Sequence, residues 1–339
     1  MRVKSGSGSS GSRRGGRSPR GSRSGPGLWV GVAVIVLSGC AGIAAEPNAT
    51  PRVAGTAPSP GAVTIVTPAP SSRKSPAAPS PAATPEIDTR TLPPAGRLGT
   101  AALESALAPV RDRFGDGLAV AWGPVGDPTQ VRAVGATRDL EAWSTIKVPI
   151  ALAVEEQTDG APSAEQDRQL ALALTVSDND ATTELWNSLS DPVAQVRQLL
   201  RDAGDDQTEP NRDSDGNAVA FGLTAWRPAD SARFATMLPC ASHGEQVLVW
   251  LGRITPEHQW GLGTVADARF KGGWGPSPHG YLARQIGIVP RLDGSWVGVA
   301  VLAQPDAGTH EAATAAIDEA ITVLVSLLGA DDGGRCPTA

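Results

Sequence analysis

Lysine is nearly missing from this 339-residue chain. It occurs only at Lys4, Lys74, Lys147 and Lys271, and arginine supplies the positive charge everywhere else. A chain that avoids lysine keeps it where arginine would fail, and an amine that must release and regain a proton is such a place, because a guanidinium stays protonated. Histidine is as sparse. His243, His258, His279 and His310 show no metal-ligand spacing, so neither a metal nor another cofactor is expected. No Gly-x-Ser-x-Gly elbow occurs in residues 97–339, which argues against a serine nucleophile of that type.

Acids are missing from the start of the chain. Arg2, Lys4, Arg13, Arg14, Arg17, Arg20 and Arg23 stand in a Gly/Ser-rich stretch, and an apolar run over residues 28–37 follows, the two regions of an export signal. The run ends Leu37-Ser38-Gly39-Cys40, which resembles the lipobox of bacterial lipoproteins. That resemblance implies a signal peptide over residues 1–40, with Cys40 lipidated and anchored in the cell membrane. A plain signal anchor is the alternative, since residues 28–45 are just long enough to span. On either reading the remainder faces the extracytoplasmic side. The first 39 residues hold seven of the 29 basic residues and none of the 35 acidic ones, so the rest carries 22 against 35, a net of −13. Such an acidic protein is not expected to bind nucleic acid.

Residues 41–96 are Pro, Ala, Ser and Thr with few large apolar side chains, too little to offset the entropy of ordering, and read as a disordered, extended linker. Residues 97–339 are long enough for one enzyme domain, expected as a monomer. Periodicity predicts a helix over 98–114, strands over 117–122 and 130–134, and a helix from Ser144. Further helices are expected over 163–174, 180–189, 193–202, 228–238 and 245–251, with a polar loop over 204–223. Strands over 268–274, 281–289 and 296–303 and a helix over 310–328 complete the order. This is an α+β fold: an antiparallel sheet of about five strands flanked by N- and C-terminal helices, with a helical subdomain beside it. With Cys40 taken by lipid, Cys240 and Cys336 remain as a disulfide pair or as two free thiols.

Ser144-Thr145-Ile146-Lys147 places a hydroxyl and an amine on one helical face. A desolvated lysine can take the proton of an attacking serine; alternatively Ser144 caps the helix and Lys147 snorkels to solvent. Ser177-Asp178-Asn179 and Lys271-Gly272-Gly273 follow. Each alone has a plain structural reading, the first as a helix cap and the second as a glycine-softened strand.

In this order the three boxes resemble the Ser-x-x-Lys, Ser-Asp-Asn and Lys-Thr-Gly boxes of the penicillin-recognising serine enzymes, and look most like the class A β-lactamase branch. The resemblance implies that Ser144 is acylated, Lys147 helps remove its proton, and Ser177 relays a proton to the leaving nitrogen. Asn179 would bond the substrate's side-chain amide, Asp178 would be mainly structural, and Lys271 would supply positive charge beside Gly273. The backbone amides of Ser144 and Trp274 would form the oxyanion hole. Arg284, on the neighbouring strand, would meet the substrate carboxylate or form a surface ion pair. Substrates implied are β-lactams or D-Ala-D-Ala-type wall peptides; a wall-peptide-binding lipoprotein without catalysis is the reading from another class. Trp143, Trp226 and Trp274 flank these positions and wall a pocket or belong to the core.

Two departures from the family pattern stand out. Gly272 lacks the hydroxyl that helps hold the substrate carboxylate. The 33 residues from Ser144 to Ser177 make a short interval, implying a trimmed helical insert and a more open site. The family also carries a glutamate that activates the water of deacylation. Glu209-Pro210 matches it in part, with Asn211 immediately after; the alternative is a solvated glutamate.

Overall fold

The apolar runs around Val120 and Val301 lie side by side in the middle of a five-stranded antiparallel sheet. The computed structural model describes residues 96–211 and 221–338; the expected lipidation of Cys40, the signal peptide and nearly all of the linker lie outside them. The strands are β1 (Leu118–Pro124), β2 (Arg132–Ala136), β3 (Arg269–Ser277), β4 (Gly280–Pro290) and β5 (Trp296–Ala303), in the order β2-β1-β5-β4-β3. β3 is therefore an edge strand, paired on one side only.

Side chains alternate across the sheet as the strand period requires. Leu118, Val120 and Trp122 of β1 and Val297, Val299 and Val301 of β5 share one core with α1 (Thr100–Phe114) and α8 (His310–Leu327). α8 buries Ala313, Ala316, Ile317, Ala320, Ile321 and Leu324, a stripe at three- and four-residue spacing. Ala121, Ile286, Ile288 and Ala300 belong to the opposite core, with Ala232 and Phe234 of α6 (Pro228–Met237). α6 lies on bare backbone there: a Cβ at Gly298 would fall 2.7 Å from the Thr236 nitrogen.

The helical insert contains α2 (Lys147–Gln157), α3 (Ala164–Ala171), α4 (Asn179–Ser188), α5 (Pro192–Asp202) and α7 (Gly244–Leu251). α2 is its axis, buried on every side from Lys147 to Glu155. A helix apolar all round belongs inside. α5 instead buries only the stripe Val193, Val196, Leu199 and Leu200 and turns its arginines outward. Cys240 and Cys336 are joined, with Cα atoms 5.2 Å apart. Among the described residues, no helix is long and apolar enough to cross a membrane.

The α+β architecture is the one expected; several boundaries differ, among them three with a plain local cause. β2 starts at Arg132 because Pro128–Gln130 form a 3-10 turn, with the Asp127 carboxylate accepting from the Thr129 nitrogen at 3.1 Å. The helix expected over 163–174 ends at Ala171 and continues as a wider π turn, Leu172–Val176. β3 runs on to Ser277, since Ser277 pairs with Gly280 in a tight hairpin whose last corner, Gly280, has φ 125°. That backbone conformation favours glycine.

Candidate active site

Three segments distant in the chain converge on the hydroxyl of Ser177. The first is the 3-10 turn Trp143–Ile146, which leads into α2. Trp143 is held at φ 45°, in the left-handed region that bulky residues avoid. Its ring lies where a Cβ on Gly275 would stand, 2.4 Å from the nearest ring atoms, so glycine there lets the indole lie on β3. Strain of this kind persists only where surrounding packing enforces it. Ser144 follows, half-buried, and its hydroxyl makes no hydrogen bond to a described residue. Lys147 opens α2 and is only 1% exposed.

The second segment is Ser177-Asp178-Asn179. The π turn widens the chain so that Ser177 sits at φ 63°, and the Asp178 carboxylate accepts from the Ala181 nitrogen at 2.7 Å, capping α4. The helix-cap reading of this box and its placement beside Lys147 therefore hold together. The Lys147 amine donates to the Ser177 carbonyl (2.6 Å), the Asn179 Oδ1 (2.8 Å), the Asp178 carbonyl (3.2 Å) and the Ser177 Oγ (3.3 Å). The expected contact of this amine with the Ser144 hydroxyl is not made, because these acceptors already surround it.

The third segment is β3. Lys271, also 1% exposed, donates to the Ser177 Oγ at 2.9 Å and to the Gly272 carbonyl at 2.8 Å. Two amines thus meet on one hydroxyl. Burial pulls the pKa of Lys147 down to about 8, with Asp178 opposing the shift. Burial holds Lys271 well below the usual lysine range, and the charge on Lys147 adds to the effect. Gly273 brings β3 against the serine: a Cβ there would fall 2.7 Å from the Ser144 nitrogen. Gly272 turns to the opposite face, where the Trp260 ring stands 3.1 Å from its missing Cβ.

Other residues singled out from the sequence lie apart from this cluster. Glu209 is on the surface, its side chain 58% exposed, and its two oxygens are bound by Arg197 Nε (2.6 Å) and an Arg201 terminal nitrogen (2.5 Å). Arg197 and Arg201 are one turn apart on α5, a spacing that presents two guanidinium groups to one carboxylate. Arg284 forms no surface ion pair. It is fully buried, donating to the carbonyls of Leu140, Glu141 and Trp226 and, at 2.6 Å, to the Ser231 hydroxyl. Burial lowers its pKa to about 9. Trp226 is also core, donating to the buried Asp205 carboxylate at 3.0 Å. Trp143 and Trp274 are half-buried beside the cluster.

One neighbour of the site was not expected. His258 packs against Trp274 with ring centres 4.7 Å apart. No spacing in the sequence connects it to any of the three boxes. Among the described residues no group of three or more His, Cys, Asp or Glu side chains could hold a metal.

A scan of family models and a search of curated proteins return no match. Solved structures do. A variant of the reconstructed last common ancestor of Gram-negative class A β-lactamases is 22% identical, with TM-score 0.51, covering 66% of this chain and 97% of that one. The TLA-1 extended-spectrum β-lactamase is 14% identical, with TM-score 0.54, covering 68% and 99%. A class A β-lactamase from Mycobacterium abscessus is 19% identical, with TM-score 0.52, covering 66% and 98%. At such identities the likeness is one of fold: the described residues adopt the architecture of the class A β-lactamases.

Proposed function

We propose that this protein is a membrane-tethered extracytoplasmic serine hydrolase, acylated at Ser144 by β-lactams and slow to release the acyl group. The observation that carries the reading is the meeting of Lys147, Ser177 and Lys271 in one bonded cluster beside the Ser144 backbone. A base for serine must have a pKa near the working pH, and Lys147 is brought to about 8 by burial.

In the acylation step a neutral Lys147 amine turns to the Ser144 hydroxyl and takes its proton as Oγ attacks the lactam carbonyl carbon. The oxyanion formed is met by the backbone amides of Ser144 and Trp274. The carbon–nitrogen bond breaks as Ser177 gives its proton to the leaving nitrogen, and Ser177 is reprotonated from the lysine pair. An ester on Ser144 remains, which water must cleave. Cys40, lipidated, and the linker over residues 41–96 would hold the domain at the membrane's outer face.

The arginine clamp on Glu209 favours a second reading of the same site, a penicillin-binding peptidase acting on D-Ala-D-Ala-type wall peptides. Such an enzyme is acylated by penicillin and keeps the adduct. Intact-mass analysis after incubation with benzylpenicillin tests the shared step. An adduct on wild type that is lost in Ser144→Ala supports acylation; no adduct on wild type leaves wall-peptide binding without catalysis.

A further inference from the structure

The loop between α7 and β3 is tied to the segment that leads into Ser177. The Thr255 nitrogen donates to the Thr175 carbonyl at 3.0 Å, two residues before Ser177, and the His258 nitrogen closes a turn onto the Thr255 carbonyl at 3.0 Å. His258 is thereby set between the Ser177 segment and β3, half-buried, its ring edge-to-face with Trp274. Trp274 in turn packs against Trp260 (6.1 Å) and His310 (5.6 Å).

This aromatic stack occupies the side of β3 on which residue 272 would carry a side chain. A Cβ at Gly272 would stand 3.1 Å from the Trp260 ring and in ordinary contact, 3.6 Å, with that of Trp274, so a threonine would press on the Trp260 indole. Arg284, the other residue expected at a substrate carboxylate, is spent on backbone carbonyls. An anionic substrate arriving at Lys271 therefore finds neither a hydroxyl at 272 nor a guanidinium from β4. The stack holds two imidazoles: His310 of α8 packs among Trp260, Trp274 and Tyr281, and His258 stands on Trp274 from the loop tied to the Ser177 segment.

The geometry points to His258 as the substrate-binding residue that, with Lys271, recognises the carboxylate of an acylating substrate, in place of the hydroxyl that Gly272 lacks. This rests on the reading of Ser144 as the acylated residue. Burial lowers the pKa of His258; Lys271, His310 and Lys147 lower it further, and Glu257 opposes them. At neutral pH the ring is then neutral and donates one N–H. As pH falls the ring gains charge and holds the carboxylate more tightly, so preference for an anionic substrate rises toward acid.

The test compares acylation rates of the full chain by benzylpenicillin and by its methyl ester, between pH 5 and 8, in wild type, His258→Ala and His258→Gln. Both compounds depend on Lys147 equally, so the acid-to-ester ratio isolates recognition of the carboxylate. His258→Ala should lower that ratio about tenfold or more, the usual worth of a hydrogen bond to a charged group, while the ester rate changes little. His258→Gln should restore part of the ratio at pH 7 without its rise toward acid. A ratio unchanged in His258→Ala, or equal loss with acid and ester, assigns His258 to packing and overturns the proposal alone. So does a wild type that does not prefer the acid. A wild type acylated by neither compound overturns the Ser144 reading and this proposal together.

Discussion

Lys147 and Glu209 are the two residues from which base catalysis is asked, and their surroundings are opposite. Lys147 begins α2, a helix buried on all sides, and desolvation brings its pKa to about 8. Glu209 lies on a loop with its side chain largely in solvent and both oxygens engaged by arginines on the outer face of α5. The machinery for taking a proton from serine is inside the protein, while the carboxylate matched to deacylation is tied to its surface. On the proposed function, a site so divided would acquire an acyl group more readily than it loses one.

The contrast is most easily broken at the nucleophile. Ser144→Ala should carry no penicillin adduct, and Lys147→Arg should slow acylation about a hundredfold to ten-thousandfold, because a guanidinium cannot accept the proton. Intact-mass time courses read both. Labelling of the Lys147→Arg variant at the wild-type rate would remove Lys147 from the account.

A second pair sharpens what burial means here. Lys271 and Arg284 are buried basic side chains on adjacent strands, one bonded to Ser177 and the other to three backbone carbonyls and Ser231. Arg284→Met strands those acceptors and should cost about 3–5 kcal/mol of stability, read by denaturant unfolding. Lys271→Met removes a buried amine that has no carboxylate partner among the described residues. It strands two acceptors, the Ser177 hydroxyl and the Gly272 carbonyl, against four for Arg284, so it should cost less stability than Arg284→Met while acylation falls. Equal loss of stability in both variants would mean that the two side chains do the same structural work.

The pH dependence of acylation follows from the sign of the lysine shift. A base is active when unprotonated, and the Lys147 pKa is lowered to about 8. The rate should climb about tenfold per unit below that value and level above it. A rate still climbing steadily at pH 10 would place Lys147 in the ordinary lysine range. The smallest effect is expected at Glu209. Glu209→Gln should change steady-state penicillin hydrolysis by less than about twofold, against the hundredfold or more that loss of an oriented base costs. A large drop would show that the arginine clamp opens during turnover.

Much of this was legible in the sequence. Strand alternation and the α8 stripe gave the layers, and the three boxes gave the cluster, because spacing within a helix or a tight turn fixes which groups share a face. The scarcity of lysine pointed at both amines. Arg284 carried an unread signal: it lies in the run Leu282-Ala283-Arg284-Gln285-Ile286 on an interior strand, where burial is to be expected. Arg197 and Arg201, four residues apart, likewise advertised a carboxylate partner for Glu209. The turn of the Lys147 amine toward Asn179 and the stacking of His258 on Trp274 had no such signal. Both depend on contacts between segments far apart in the chain.

The most direct test of the account follows the adduct itself. Wild-type protein is saturated with benzylpenicillin, freed of excess compound, and sampled by intact mass with peptide mapping at Ser144. The account predicts one penicilloyl group on Ser144 that persists for minutes or longer. An adduct on another residue, or one on Ser144 that clears within seconds, would contradict it.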